Sequence, residues 1–126
     1  MCGIIGYIGN KDCKEVLIDC LKKLEYRGYD SSGVSIVNNK KISTVKCAGK
    51  ISNLENKLND FKTKNSSMGI GHTRWATHGI ANDINAHPHE GKSCVLVHNG
   101  IIENYTTIKK GLIVKGHIFY SEIIVK

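Results

Sequence analysis

Met1-Cys2-Gly3-Ile4-Ile5-Gly6-Tyr7-Ile8-Gly9 opens the chain, and its reading decides both the first strand of the fold and the leading candidate for its chemistry. The run from Cys2 to Gly9 is short, apolar and bounded by glycine, which predicts a buried strand. It also places a thiol beside the initiator methionine. If Met1 is removed, Cys2 carries both a thiol and a free α-amine. An α-amine titrates close to neutrality and can accept a proton. A thiol needs only modest help to become a thiolate. An N-terminal residue that attacks while its own amine serves as base is an established catalytic arrangement. The alternative is that a cysteine at position 2 carries no function.

The rest of the chain builds outward from that strand. Asp12 is placed to cap a helix from Cys13 to Leu24, whose apolar residues Val16, Leu17, Cys20, Leu21 and Leu24 fall at spacings of three and four. Lys22 and Lys23 suit the negative end of its dipole. Tyr26 to Gly33 reads as a polar, glycine-flanked loop. Val34–Val37 and Lys41–Cys47 read as strands joined by a hairpin turn at Asn38-Asn39. A second helix is expected over Ile51–Phe61, with Ser52 or Asn53 near its start, then a turn at Asn65–Ser67 and a strand over Met68–Thr73. Arg74–His89 reads as loop. Cys94–His98 reads as a strand, Ile101–Leu112 as a helix and Ile118–Val125 as a last strand. Strands without regular crossovers favour an α+β protein over a doubly wound fold.

At 126 residues the chain is one domain at most. Its net charge of +7 comes from scattered lysines rather than from arginines clustered with aromatics. That pattern argues against a nucleic-acid partner and for a solvated surface with a mild attraction for anions. The five cysteines form no CxxC pair, and no secretory leader or long apolar run precedes them. No apolar stretch approaches the roughly 18 residues of a membrane span. A reducing, cytoplasmic setting without a membrane partner is the expectation.

Polar clusters follow the apolar strands, where a rigid scaffold can hold loop residues. Arg74 offers a planar fork for a carboxylate, or is an ordinary surface arginine. Asn99-Gly100 offers a side-chain amide and an unhindered backbone N–H, the makings of an oxyanion hole, or is a simple turn dipeptide. His72, His78, His87 and His89 raise a metal reading. They show no HExxH spacing and no carboxylate completes a facial set, so no metal is expected.

Five strings appear in order: Cys2-Gly3-Ile4-Ile5-Gly6, Tyr26-Arg27-Gly28-Tyr29-Asp30-Ser31-Ser32-Gly33, Gly71-His72-Thr73-Arg74-Trp75-Ala76-Thr77-His78-Gly79, Asn85-Ala86-His87-Pro88-His89 and His98-Asn99-Gly100-Ile101-Ile102-Glu103-Asn104. Together they closely resemble the class-II, N-terminal-nucleophile glutaminase domain of the glutamine–fructose-6-phosphate aminotransferases (isomerizing). The second and third strings separate the chain from relatives such as amidophosphoribosyltransferase and asparagine synthase.

The resemblance implies a four-layer αββα sandwich, present in part, with two mainly antiparallel sheets between helical layers. It implies that Cys2 attacks the carboxamide of glutamine with its α-amine as base, and that Asn99 and Gly100 hold the oxyanion. Arg74, helped by Thr77 and His78, is then the handle for the α-carboxylate. His87 and Arg27 support the site, and Trp75 lies on the loop that shields the ammonia. No cofactor is implied, and the family's members are homo-oligomers.

Two departures from the family stand out. Residues 1–126 match only the N-terminal portion of a longer glutaminase domain, and the domains that handle fructose 6-phosphate are absent. Apolar faces and edges are therefore expected to lie open. The family's aspartate for the α-ammonium of glutamine falls at Ile124. A truncated, catalytically impaired remnant that acts at most as a binding module is the alternative reading.

Overall fold

The structure, a computed structural model, describes residues 1–63, 66–76 and 79–121. Its elements run β1 (Gly3–Ile8), α1 (Cys13–Lys23), a 3-10 turn (Glu25–Arg27), β2 (Ser31–Asn38), β3 (Lys41–Ala48), α2 (Ile51–Asn59), β4 (Met68–Arg74), β5 (His89–Glu90), β6 (Val95–Leu96) and α3 (Tyr105–Val114). Four strands form an antiparallel sheet in the order β1-β4-β2-β3, and β5 and β6 form a second antiparallel pair. The α+β expectation holds.

Strand alternation sorts the four-stranded sheet into two faces. Ile5 and Tyr7 of β1, Val34 and Ile36 of β2, and Val45 and Cys47 of β3 point to one side. There they meet Cys13, Leu17 and Leu21 of α1 and Ile51, Leu54 and Leu58 of α2. Asp12 caps α1 as read, its Oδ1 accepting from the Lys14 N–H at 2.8 Å. On β4 this face carries Gly69 and Gly71. A Cβ on Gly69 would lie 2.7 Å from the Cys13 Sγ, so the missing side chain lets α1 settle onto the sheet.

The other face is only partly covered. The loop leading into β5 buries Asn85, Ala86, His87 and Pro88 against it. Beyond that loop a groove opens, lined by Thr44 and Lys46 of β3, Glu90 of β5, Leu96 of β6 and Leu112 of α3. The helices α1 and α2 thus cover one face of the four-stranded sheet, and the loop of residues 85–88 with the start of β5 lies on the other. Ile4, Met68 and Ile42 remain about half exposed on this side, and Ile8 more so. The strand read as buried is therefore only half-buried, on the face of Ile5 and Tyr7, because it lies at the sheet's edge and Ile4 and Ile8 on its other face stay exposed.

Other boundaries shift for identifiable reasons. The strand β2 begins at Ser31 rather than Val34, because Ser31, Ser32 and Gly33 pair with β3 and β4 and are buried. The hairpin turns at Asn39-Lys40, both at positive φ, with Asn38 paired to Lys41. The helix α2 begins at Ile51 with Ser52 and Asn53 in its first turn, as read, and Lys50 before it makes no side-chain cap. The strand expected over 94–98 shrinks to Val95–Leu96.

The last helix starts at Tyr105 and is closed by Gly116 at φ +85. There the His117 N–H reaches back to the Leu112 carbonyl at 3.0 Å, a Schellman-type end. No strand forms over Ile118–Ser121. The rest of that expected strand, with Ile124, lies outside the described residues, as do Asn65, Thr77 and His78.

Candidate active site

The antiparallel pairing of β1 with β4 sets Gly3 opposite Thr73, and this brings Cys2 to the end of β4 where Arg74 and Trp75 leave the sheet. The Gly3 N–H donates to Thr73 Oγ1 at 3.0 Å. A Cβ on Gly3 would lie 2.6 Å from Leu24 Cδ1, so only glycine allows the chain end to sit this close. The Trp75 N–H donates to Cys2 Sγ at 3.3 Å. A backbone donor thus holds the half-buried thiol in one orientation.

Arg27 and Trp75 close the other side. The Met1 ammonium donates to the Arg27 carbonyl at 3.2 Å, and Arg27 Nη2 lies 2.9 Å from Met1 Sδ. The Trp75 ring lies over Gly28, whose φ is +75 and whose absent Cβ would meet the indole. Gly28→Ala therefore strains the backbone and displaces the ring together. The expected cost is about 1 kcal/mol or more. Trp75 is the single tryptophan of the chain, so a change in its emission, with slower modification of Cys2, checks this directly.

Arg74 is almost fully buried, at 4% exposure. Its Nη1 donates to the Ile80 carbonyl at 3.3 Å and its Nη2 to the Gly79 carbonyl at 3.4 Å, and Nη1 lies 3.9 Å from Asp30 Oδ1. Asp30 is the organiser here. Its carboxylate accepts from the Ala76 N–H and, at 2.9 Å, from the Ser31 hydroxyl. Its own N–H donates to the Arg74 carbonyl at 2.8 Å. One acidic residue thereby fixes both the direction of Arg74 and the backbone that carries Trp75 and Ala76. Nothing in the local sequence pattern marks Asp30 or Thr73 as functional, beyond the place of Asp30 in a polar loop just before a strand.

Asn99 and Gly100 are exposed and follow β6. Among the described residues no hydrogen bond joins either to Cys2. They are tied instead to a group of histidines. The rings of His72 and His87 stack with centroids 4.3 Å apart, and the His89 ring meets His87 edge-on at 4.4 Å. The His98 N–H donates to His87 Nδ1 at 3.4 Å. Burial is the main force on these rings. It pushes His72 and His89 down from 6.5 to about 4 and His87 further still, and the positive charges of Arg74 and Lys46 add to the effect. Among the described residues no set of three or more His, Cys, Asp or Glu side chains is placed to hold a metal ion.

No family model matches the chain. It is 51% identical over 122 residues to "Glutamine--fructose-6-phosphate aminotransferase [isomerizing]" of Campylobacter jejuni, a match that takes in 97% of this chain and 20% of that protein. The proteins of the same name from Clostridium acetobutylicum and Pyrococcus horikoshii are 54% identical over 124 residues and 55% identical over 125. The chain spans about a fifth of the length of these curated relatives. Among solved structures, the allosteric regulatory enzyme of purine biosynthesis superposes with a TM-score of 0.77 at 27% identity, covering 92% of this chain and 26% of that one. The glutamine phosphoribosylpyrophosphate amidotransferase of B. subtilis, at 23% identity and a TM-score of 0.76, shares the fold, covering 97% of this chain and 27% of that one. The resemblance and the fold class read from the motif strings are borne out.

Proposed function

We infer that this chain is the nucleophile-bearing part of a class-II glutamine amidotransferase domain of the glutamine–fructose-6-phosphate aminotransferase kind, and that it releases ammonia from glutamine through Cys2. The observation that carries this reading is the convergence at one sheet end. Cys2 Sγ is held by the Trp75 N–H, and the residue before Trp75 is the buried Arg74.

In the proposed reaction the Cys2 thiol gives its proton to the α-amine exposed by removal of Met1, and the sulfur attacks the carboxamide carbon of glutamine. The tetrahedral oxyanion forms against the Asn99 side-chain amide and the Gly100 N–H. As it collapses, the C–N bond breaks and the amine's proton leaves on ammonia. Water then cleaves the γ-glutamyl thioester to glutamate and restores the thiol. Arg74, with Thr77 and His78, holds the α-carboxylate, and His87 and Arg27 support the pocket.

Amination of fructose 6-phosphate belongs to domains outside this chain. No nucleic-acid partner is proposed, and homo-oligomer formation is what the resemblance implies for the family's members. Five free thiols fit a reducing, cytoplasmic setting. Among the described residues no helix is long and apolar enough to cross a membrane. The test is incubation of the Met1-processed chain with a glutamine-analogue electrophile, followed by peptide mapping. An adduct on Cys2, together with ammonia release from glutamine, supports the reading, and an unmodified Cys2 refutes it.

A second reading, a non-catalytic remnant, draws on the open apolar face at Ile4 and Ile8 and on Ile124, which cannot pair with an ammonium. Ile124→Asp separates the two. A charge-assisted bond to the α-ammonium, worth about 1.5–3 kcal/mol, is expected to lower the half-saturating glutamine concentration by roughly tenfold or more. A remnant without a pocket gains nothing from the change.

A further inference from the structure

We propose that the buried imidazoles of His72 and His87 are positioning residues that lock the Asn99-Gly100 dipeptide to the strand bearing Arg74. The proposal rests on the reading of Asn99 and Gly100 as oxyanion donors, but its structural core does not. His72 lies on β4 two residues before Arg74 and pairs with Ile4, two residues after Cys2. His87 stacks on His72 and accepts from the His98 N–H, so the residue just before Asn99 hangs from the stack. The next link is tight as well. A Cβ on Gly100 would lie 3.1 Å from Cε1 and Nε2 of His98, so the His98 ring rests against the Gly100 backbone. Gly33 of β2 completes the seat, because a Cβ there would collide with the His87 carbonyl. A continuous path of packed groups therefore runs from the Cys2 end of the sheet to the oxyanion dipeptide.

The device works only with neutral rings. His87 Nδ1 must present a lone pair to the His98 N–H, which puts the ring proton on Nε2. A proton on Nδ1 would set two donors face to face. The surroundings oppose such a proton from every side. His87 faces His72 and Arg74 of β4, His89 of β5 and Lys46 of β3, and Glu90 of β5 faces Lys46. The folded state binds these protons less tightly than the unfolded chain, which takes them up near 6.5. The stability that the neutral rings give the fold is therefore complete above pH 6.5 and is lost as the pH falls toward 4, while inside the folded chain His72 and His87 stay neutral until about pH 4.

Two substitutions in the full, Met1-processed chain test this. His87→Phe keeps a ring on His72 but has no acceptor. His87→Asn offers a side-chain oxygen near the place of Nδ1. Ammonia release from glutamine is expected to lose kcat roughly 10- to 100-fold in His87→Phe, with KM nearly unchanged, and to recover in His87→Asn. In amide NMR spectra the His98, Asn99 and Gly100 signals should move in His87→Phe and return in His87→Asn. In the unsubstituted chain the ring signals of His72 and His87 should hold steady as pH falls from about 7.5 to about 5.5. Unmoved amide signals in His87→Phe, or His72 and His87 ring signals that titrate near 6.5, overturn the lock. If no form releases ammonia, the glutaminase reading fails, and the NMR arm still decides whether the lock exists.

Discussion

Cys2→Ala is expected to abolish both the proposed ammonia release and capture of a glutamine-analogue electrophile, a loss of about 10³-fold or more, because a nucleophile has no substitute. Retention of Met1 is expected to have almost the same effect by a different route. In the chain with Met1 present, the terminal ammonium rests on the Arg27 carbonyl, one residue away from the thiol. The Cys2 nitrogen is then an amide and cannot take the thiol proton. Loss of a positioned base costs about 10²–10⁴-fold. The two defects are separable. A small, unspecific alkylating agent should still modify Cys2 in the Met1-bearing chain, since the thiol remains half exposed, but not in Cys2→Ala. Cys94 is exposed too, so the adduct must be located by peptide mapping rather than by intact mass. Equal reactivity toward glutamine analogues with and without Met1 would remove the α-amine from the mechanism.

Much of this was legible because it depends on local pattern. Leu17 and Leu21 recur on one helical face, Asp12 sits where a cap belongs, and both are as read. Cys2, Arg74 and the Asn99-Gly100 pair stand out because each has an unusual chemical capacity beside an apolar strand. What stayed hidden depends on contacts distant in sequence. Asp30 reaches Ala76 across 46 positions, and no local rule marks it. Ser31, Ser32 and Gly33 look like loop but form the buried start of β2, since tertiary pairing overrides their weak strand preference. The histidines raised a metal reading by their number, and their spacing argued against it. Three of them, His72, His87 and His89, pack ring against ring on the face of the sheet away from the core helices, and only the pairing of β4 with its neighbours reveals it. Ile4 and Ile8 misled in the opposite direction. Their run of apolar residues implied burial, whereas the strand lies at the sheet's edge with one face uncovered.

Arg74→Met should raise the glutamine KM by about 100-fold, which corresponds to roughly 3 kcal/mol of lost charge-assisted hydrogen bonding. Arg74→Lys should cost nearer tenfold, because the charge survives while the planar fork does not. The structure complicates a pure binding role. The guanidinium already spans the Gly79 and Ile80 carbonyls and lies beside Asp30, so it also ties down the loop that follows β4. Removing it leaves a half-buried carboxylate without that cation and two loop carbonyls without those donors. A stability loss of about 1–3 kcal/mol is expected from that alone. Lysine distinguishes the roles. A single ammonium can stay near Asp30 and preserve most of the stability, yet it cannot reach both carbonyls and a substrate carboxylate at once. If Arg74→Lys keeps the unfolding midpoint but raises KM with kcat little changed, the arginine grips glutamine as well as its own loop. If the midpoint and kcat fall together and KM holds, Arg74 acts as a loop tie, and the carboxylate handle must be sought among its neighbours.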